Sequence, residues 1–278
     1  MALPSDFQFS QNNLQDYIDC PRRFELRHLQ RLQWPAPQTE PIIEQERHIQ
    51  QGQRFHRLVQ QSLLGLPQDL LDAQAQDDPD LLRWWQNYTQ FAPRDLPGRR
   101  YAEHFLSAPF AGSRLVAQYD LLVIQPGQQA VIIDWKTNRR LPRSSTLKVR
   151  MQSRIYPLLL ILAGAQLNDR RPLAAEQIEM IYWFTDFPET PLRLTYSTAQ
   201  YQQDTAELEK LIREIAQYPD DQPFPLTTHS ERCQFCRYRS LCQRGERAGD
   251  WNAAEEENEP VVESGLDLDF DQIGEIAF

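Results

Sequence analysis

The chain lacks any long apolar run. Its longest uncharged stretch of that kind, residues 155–165, is about half of what a bilayer-spanning helix needs. Mean hydropathy is −0.62, which argues against a membrane protein. The start, Met-Ala-Leu-Pro-Ser-Asp, has no basic region followed by an apolar stretch, so no secretory signal is read there and the expected location is the cytoplasm. There is no Gly-x-x-x-x-Gly-Lys-Ser/Thr element, hence no sign of an ATPase motor, and no internal repeat. Cysteine is scarce: Cys20, Cys233, Cys236 and Cys242 are the complete set.

Two further absences concern charge. Residues 250–278 hold ten acids and no Lys or Arg, so the net charge of −10 belongs to that tail and the rest of the chain is balanced. A tail of Glu, Asp and Pro is expected to be disordered. Conversely, no acid occurs between Trp135 and Asn168, where Lys136, Arg139, Arg140, Arg143, Lys148, Arg150 and Arg154 stand unopposed. Phosphate-binding surfaces need such positive charge, because much of the affinity comes from displaced counterions. A solvated helix face would carry the same run, and its place directly after Asp134-Trp-Lys136 favours nucleic acid: Arg139, Arg140, Arg143, Lys148, Arg150 and Arg154 are the expected DNA contacts.

Apolar periodicity predicts a short helical segment over 10–32 broken at Cys20-Pro21, and amphipathic helices over 44–64 and 80–91. The period then changes to that of strands at 101–106, 114–124 and 130–137. A helix over 145–165, strands at 177–187 and 192–196 joined by a turn around Pro188, and a helix over 198–218 follow, with Ser197 or Thr198 as its cap. This order implies an α/β layer structure with a mixed sheet. Residues 1–249 are expected to form one body, with 250–278 as the tail.

Asp120 interrupts the apolar core of one strand, and Asp134 lies near the end of the next. Adjacent strands are ~4.8 Å apart, so both carboxylates can reach one hard cation such as Mg²⁺. Lys136 shares a face with Asp134 and is placed to orient or deprotonate a water, or to stabilise charge at phosphorus. A buried Asp–Lys ion pair would read the same way. Gly52 and His56 share a face of the 44–64 helix, and a glycine there makes room beside an imidazole that can ligate a metal. Gln152 and Tyr156 repeat the i, i+4 spacing on the helix after Lys136 and can hydrogen-bond a phosphate or the attacking water. Pro157 is expected to kink that helix. The spacing Cys233-x2-Cys236-x5-Cys242, with Cys20 as fourth ligand, suits one metal centre and leaves zinc and an iron–sulfur cluster both open.

Together these motifs resemble the PD-(D/E)XK nuclease superfamily, in its RecB-like branch with an iron–sulfur cluster, to which the CRISPR adaptation exonucleases and the C-terminal domain of AddB belong. The resemblance rests on Cys20-Pro-Arg-Arg-Phe, Gly52-x3-His56, Glu103, Asp120, Asp134-Trp-Lys136, Gln152-x3-Tyr156 and Cys233-x2-Cys236-x5-Cys242, in that order. Ala117, where the family usually has glycine, and Pro157 depart from it without removing a functional group. It implies a restriction-endonuclease-like core with a mixed central sheet flanked by helices. The terminal segments, 10–32 and 226–245, would meet at a four-cysteine cluster. His56, Asp120, Asp134 and the Trp135 carbonyl are implied as ligands of Mg²⁺ or Mn²⁺. Lys136, Asp120, Asp134, Gln152, Tyr156 and, less directly, Glu103 are implied as catalytic, and Cys20, Cys233, Cys236 and Cys242 as ligands of a [4Fe-4S] cluster.

The expected activity is therefore a metal-dependent deoxyribonuclease, an exonuclease on single-stranded or end-opened DNA in repair, recombination or CRISPR adaptation. A DNA-binding or assembly module of a repair complex, with little or no cleavage, is the alternative. The end of the tail, Leu266-Asp-Leu-Asp-Phe-Asp-Gln-Ile-Gly-Glu-Ile-Ala-Phe278, is similar to the acidic, Phe-terminated tails by which bacterial single-stranded-DNA-binding proteins dock partners. It is a candidate docking site for a protein, or a DNA mimic for the basic segment.

Overall fold

A computed structural model of the chain describes residues 3–33, 40–234 and 236–245. The expected acidic tail lies outside these. One mixed sheet of six strands organises the rest: β1 (Gln8–Phe9), β2 (Arg99–Phe110), β3 (Ser113–Gln125), β4 (Gln129–Lys136), β5 (Ile178–Phe184) and β6 (Phe187–Thr195). The long β3 is its axis. β2 runs antiparallel along one whole edge of β3. The other edge is shared, with β1 parallel to its start and β4 antiparallel to its end. β4 and β5 are parallel, so the chain must cross over between them, and β6 closes the edge antiparallel to β5.

Helices cover both faces. On one side lie α1 (Gln11–Asp19), α7 (Met151–Ala163) and α8 (Thr198–Ala216), packed through Leu14, Ile155, Leu159 and Leu208 onto Ile132, Met180 and Tyr182. On the other lie α3 (Glu40–Leu63), α4 (Gln68–Ala75) and α5 (Pro79–Phe91), packed through Phe55, Leu71, Trp84 and Tyr88 onto Ile133, Trp135 and Trp183. Strand alternation explains the split, since even-numbered residues of β4 face one layer and odd-numbered ones the other. None of the described helices is long and apolar enough to cross a membrane.

Local chemistry sets the boundaries. Ser10 caps α1 in a reciprocal pair with Asn13, and Asp78 accepts from Asp80 and Leu81 N–H at the start of α5. Ser197, of the two candidates, caps α8 by accepting from Gln200 N–H. After α1, Pro21 opens the short α2 (Pro21–Phe24), which passes into one π-helical turn, Glu25–Leu29.

Two expected elements are corrected. The helix expected over 145–165 is two helices, α6 (Ser144–Val149) and α7, because Arg150 adopts extended backbone at φ −65° and ψ 144°. The turn expected at Pro188 falls earlier, at Thr185–Asp186, and Pro188 lies inside β6. That strand is at the sheet edge, where a residue without an N–H need not cost a ladder bond. The first α2 turn and the C-terminal segment meet: Arg22 N–H donates to the Pro225 carbonyl at 3.1 Å, Phe224 N–H to Glu25 at 2.9 Å, and Tyr238 hydroxyl to the Leu32 carbonyl at 3.0 Å.

Candidate active site

Residues face alternate sides along β2 and β3, except at one point. Leu115, Ala117 and Tyr119 face the α7 layer, yet so do Leu122 and Ile124, while Leu121 and Val123 face the α3 layer. The alternation therefore slips at Asp120. The β2–β3 ladder breaks at the same level: Ala102 pairs with Leu121 and His104 with Tyr119 in one register, but Glu103 between them does not pair with Asp120 and holds a left-handed φ of +48°. A non-glycine residue in that region costs of order 1 kcal/mol and persists only where its surroundings enforce it. The β3–β4 ladder also ends there, at Leu121 and Ile133. Beyond it the Asp120 side chain replaces the ladder, accepting from Trp135 N–H through Oδ2 at 2.8 Å. Asp120 and Asp134 are thus placed where two strands separate.

Three donors converge in that gap. One ligand atom each of His56, Glu103 and Asp120 lies within 4.8 Å of the other two. His56 Nδ1 is 3.4 Å from Asp120 Oδ1, and its buried Nε2 has no hydrogen-bond partner. Gly52, also buried, sits one turn before His56 on α3. Gln118 donates to Glu103 Oε2 at 2.8 Å, which fixes that carboxylate. The orphaned imidazole nitrogen and the crowded oxygens fit a divalent cation, whose preferred ligands they are.

Asp134 and Lys136, even-numbered on β4, share a face, and it is the one that α7 covers. Lys136 Nζ is 2.8 Å from Asp134 Oδ2 and donates to Gln152 Oε1 at 2.9 Å, and Gln152 Nε2 donates to Asp134 Oδ1 at 2.5 Å. An ammonium only donates and a carboxylate only accepts, so the orientation of the Gln152 amide is forced. Trp135 points the other way, into the aromatic cluster with Trp183 and Tyr88. The Tyr156 hydroxyl is committed to protein: it donates to the Gln118 carbonyl at 2.8 Å and accepts from Gln11 at 3.2 Å.

Electrostatics follow from this crowding. Burial and the adjacent Asp120 push Glu103 up to about 7. Burial pushes Asp134 up to about 6, against the pull of Lys136. For His56, burial favours the neutral ring, but Asp120, Glu103 and Asp134 outweigh it and raise its pKa.

Of the basic segment, Arg139, Arg140, Arg143 and Lys148 are exposed on the loop and helix between β4 and α7, and Arg150 is half-buried. Arg154 is drawn out of this set. Its guanidinium donates to the fully buried Asp204 at 2.6 Å and to Glu207 at 2.5 Å, so its charge is spent inside the protein. The four cysteines carry free thiols, Cys20 buried and the others partly so. Burial raises the thiols of Cys233, Cys236 and Cys242, and Cys20 adds to the rise in each, so the four gather at the junction of the terminal segments.

The sequence reading missed Gln118, Gln11 and Gln15. Gln118 stands two residues before Asp120 on the same strand, a signal that was there to be used. Gln11 and Gln15 reach α7 only through tertiary packing.

The sequence model of the PD-(D/E)XK nuclease superfamily matches residues 8–243, nearly the whole described body. The chain belongs to this superfamily. Among solved structures it is similar to one from Eubacterium rectale named "Putative exonuclease", at 10% identity over 88% of this chain and 90% of that one, with a TM-score of 0.51. It also aligns with the crystal structure of SSO0001 at 13% identity, over 84% and 85% of the two chains, with a TM-score of 0.39. At these identities the Eubacterium rectale likeness speaks for the fold. No curated protein matches the sequence.

Proposed function

We propose that this protein is a divalent-cation-dependent deoxyribonuclease acting as an exonuclease on single-stranded or end-opened DNA. The observation that carries this reading is the convergence of His56, Glu103 and Asp120 within 4.8 Å, beside the Asp134–Lys136–Gln152 network. His56, Asp120 and Glu103, with Asp134 and the Trp135 carbonyl nearby, would hold Mg²⁺ or Mn²⁺. A bound cation of this kind polarises a phosphate and lowers the pKa of its water. The protein's own part is to place Lys136, pinned between Asp134 and Gln152, where it steers the water or meets charge at the phosphorus. The exposed Arg139, Arg140, Arg143 and Lys148 would hold the DNA backbone at the mouth of the site. Tyr156 acts in this reading by bracing Gln118 rather than by touching substrate.

The RecB-like branch is part of the same proposal. Four free cysteines at the joint of the two terminal segments fit a [4Fe-4S] cluster, with zinc as the alternative ion. The acidic segment 250–278 is proposed as a docking site for a protein partner. The test of function is degradation of end-labelled DNA with and without Mg²⁺ or Mn²⁺. We expect cleavage that Lys136→Ala abolishes, and full activity in that variant would overturn the assignment. Visible absorption of anaerobically purified protein separates a brown iron–sulfur protein from a colourless zinc one.

A further inference from the structure

One short helix, α1, touches both the cysteine junction and the catalytic helix α7. At its C-terminal end Asp19 precedes Cys20, and its carboxylate accepts from Arg232, the neighbour of Cys233, at 2.8 Å. One turn back, Gln15 donates to Asp19 at 3.1 Å and accepts from the Met151 N–H at 3.1 Å. Met151 is the first residue of α7, and Gln152, which bridges Lys136 and Asp134, is the second. A further turn back, the buried Gln11 donates to the Tyr156 hydroxyl at 3.2 Å.

The first N–H groups of a helix have no partner within it. Arg150, which precedes α7, gives no side-chain cap, so Gln15 supplies the acceptor from 136 residues away. This is what the break at Arg150 achieves: a continuous helix would have satisfied the Met151 N–H internally and left Gln15 nothing to hold. With Gln11 one turn along, α1 holds α7 at two points, Met151 and Tyr156, that lie on either side of Gln152.

We propose that Gln11 and Gln15 are positioning residues for the reaction, and that Asp19 and Arg232 tie their setting to the cysteine loop. The proposal rests on the nuclease reading above and deepens it. Loosening the cysteine loop then reaches Gln152 through Arg232, Asp19, Gln15 and Met151 without either end contacting the other. Turnover suffers more than DNA binding, because the phosphate-holding arginines lie outside this chain of contacts. A misplacement of ~1 Å at a reacting group costs up to ~10²-fold in rate, and a loosened helix start is expected to cost about tenfold.

The experiment uses the full chain with Gln15→Met, Gln11→Met and Arg232→Met. Amide hydrogen exchange over residues 151–156 is expected to quicken in all three while β4 stays protected. With Mg²⁺ and end-labelled DNA, kcat falls about tenfold in Gln15→Met, KM stays within twofold, and adding Gln152→Ala produces no more than Gln152→Ala alone. Unchanged exchange at the start of α7 in Gln15→Met or Arg232→Met overturns the link. Losses in kcat that multiply with Gln152→Ala overturn the positioning role. Exchange reads no activity, so a wild-type protein that cleaves nothing overturns the nuclease reading alone, and the exchange result still decides the link.

Discussion

Replacing Glu103 by glutamine should stabilise the cation-free protein at alkaline pH and leave it almost unchanged at acid pH. Glu103 is pushed from its ordinary value of 4.5 to about 7 by burial and by Asp120. A carboxyl whose pKa is raised on folding holds its proton in the folded state after the unfolded chain has released it. The folded state therefore loses stability as pH rises from about 4.5 to about 7, and the loss is complete above that window. At 1.36 kcal/mol per pH unit, Glu103 alone costs the metal-free fold on the order of 3 kcal/mol at pH 8. Asp134, raised from 3.8 to about 6 chiefly by burial, adds a cost of the same sign. His56 acts in the same direction: its raised pKa favours the charged ring in the fold, so its contribution is present at low pH and lost as pH rises.

Glu103→Gln keeps an oxygen that accepts from Gln118, so the bond at 2.8 Å can persist while the charge goes. Thermal melts in EDTA at pH 5, 6, 7 and 8 measure the effect. For a body of this size ~1 kcal/mol moves Tm by roughly 2–4 °C. The variant should melt several degrees above wild type at pH 8 and within a degree or two at pH 5. Adding Mn²⁺ at pH 8 should reverse the order, because the wild type regains what the crowded carboxylates cost and binding adds stability by mass action. Parallel pH profiles in EDTA, or a variant less stable than wild type at pH 8, would refute the reasoning. The acid end is set by another group: Asp16, held at about 2 against burial by Arg23, Arg27 and His28, contributes stability that is lost below pH ~4.

Other substitutions separate holding from chemistry. Lys136→Ala should abolish cleavage while Mn²⁺ binding, read by calorimetry, stays within a fewfold, because Lys136 is no ligand. Arg139→Ala, Arg140→Ala and Arg143→Ala should each weaken DNA binding and flatten its salt dependence by a slope of about 0.7 on single strands. Arg154→Ala should leave that slope alone and instead cost about 3 kcal/mol in urea unfolding, since it strands the buried Asp204. Tyr156→Phe removes the donor to the Gln118 carbonyl and the acceptor for Gln11, and should destabilise by about 1–3 kcal/mol.

What could be read from the chain alone follows from range. Asp134 and Lys136 share a face because strands alternate, and Gln152 and Tyr156 share one because helices turn every 3.6 residues, so both pairings were legible. The strands themselves were legible from their apolar runs, though β2 extends beyond the 101–106 core to Arg99–Phe110. The short α4 carries too few periods to announce itself. The break at Arg150 was not visible, because the acceptor that takes over the freed Met151 N–H is Gln15, far away in sequence. Nor was the fate of Arg154, which depends on the fully buried Asp204 on α8. Tyr156 was placed on the right face, but its hydroxyl was already claimed by a backbone carbonyl of β3.

The position of the site has one physical root. A regular antiparallel pair would bury Glu103 and Asp120 side by side on one face, among apolar neighbours, at a desolvation cost no ion pair with His56 alone repays. The slip at Glu103 instead turns both carboxylates into the gap where β3 and β4 part. There His56 reaches them from the α3 layer, while Asp134 and Lys136 arrive on the α7 side. A sheet is otherwise a barrier between its two layers. By breaking alternation and ladder at the same level, this one sets the His56–Glu103–Asp120 cluster beside the Asp134–Lys136 pair, and it leaves a strained residue, an orphaned imidazole nitrogen and two crowded carboxylates that a divalent cation would relieve together.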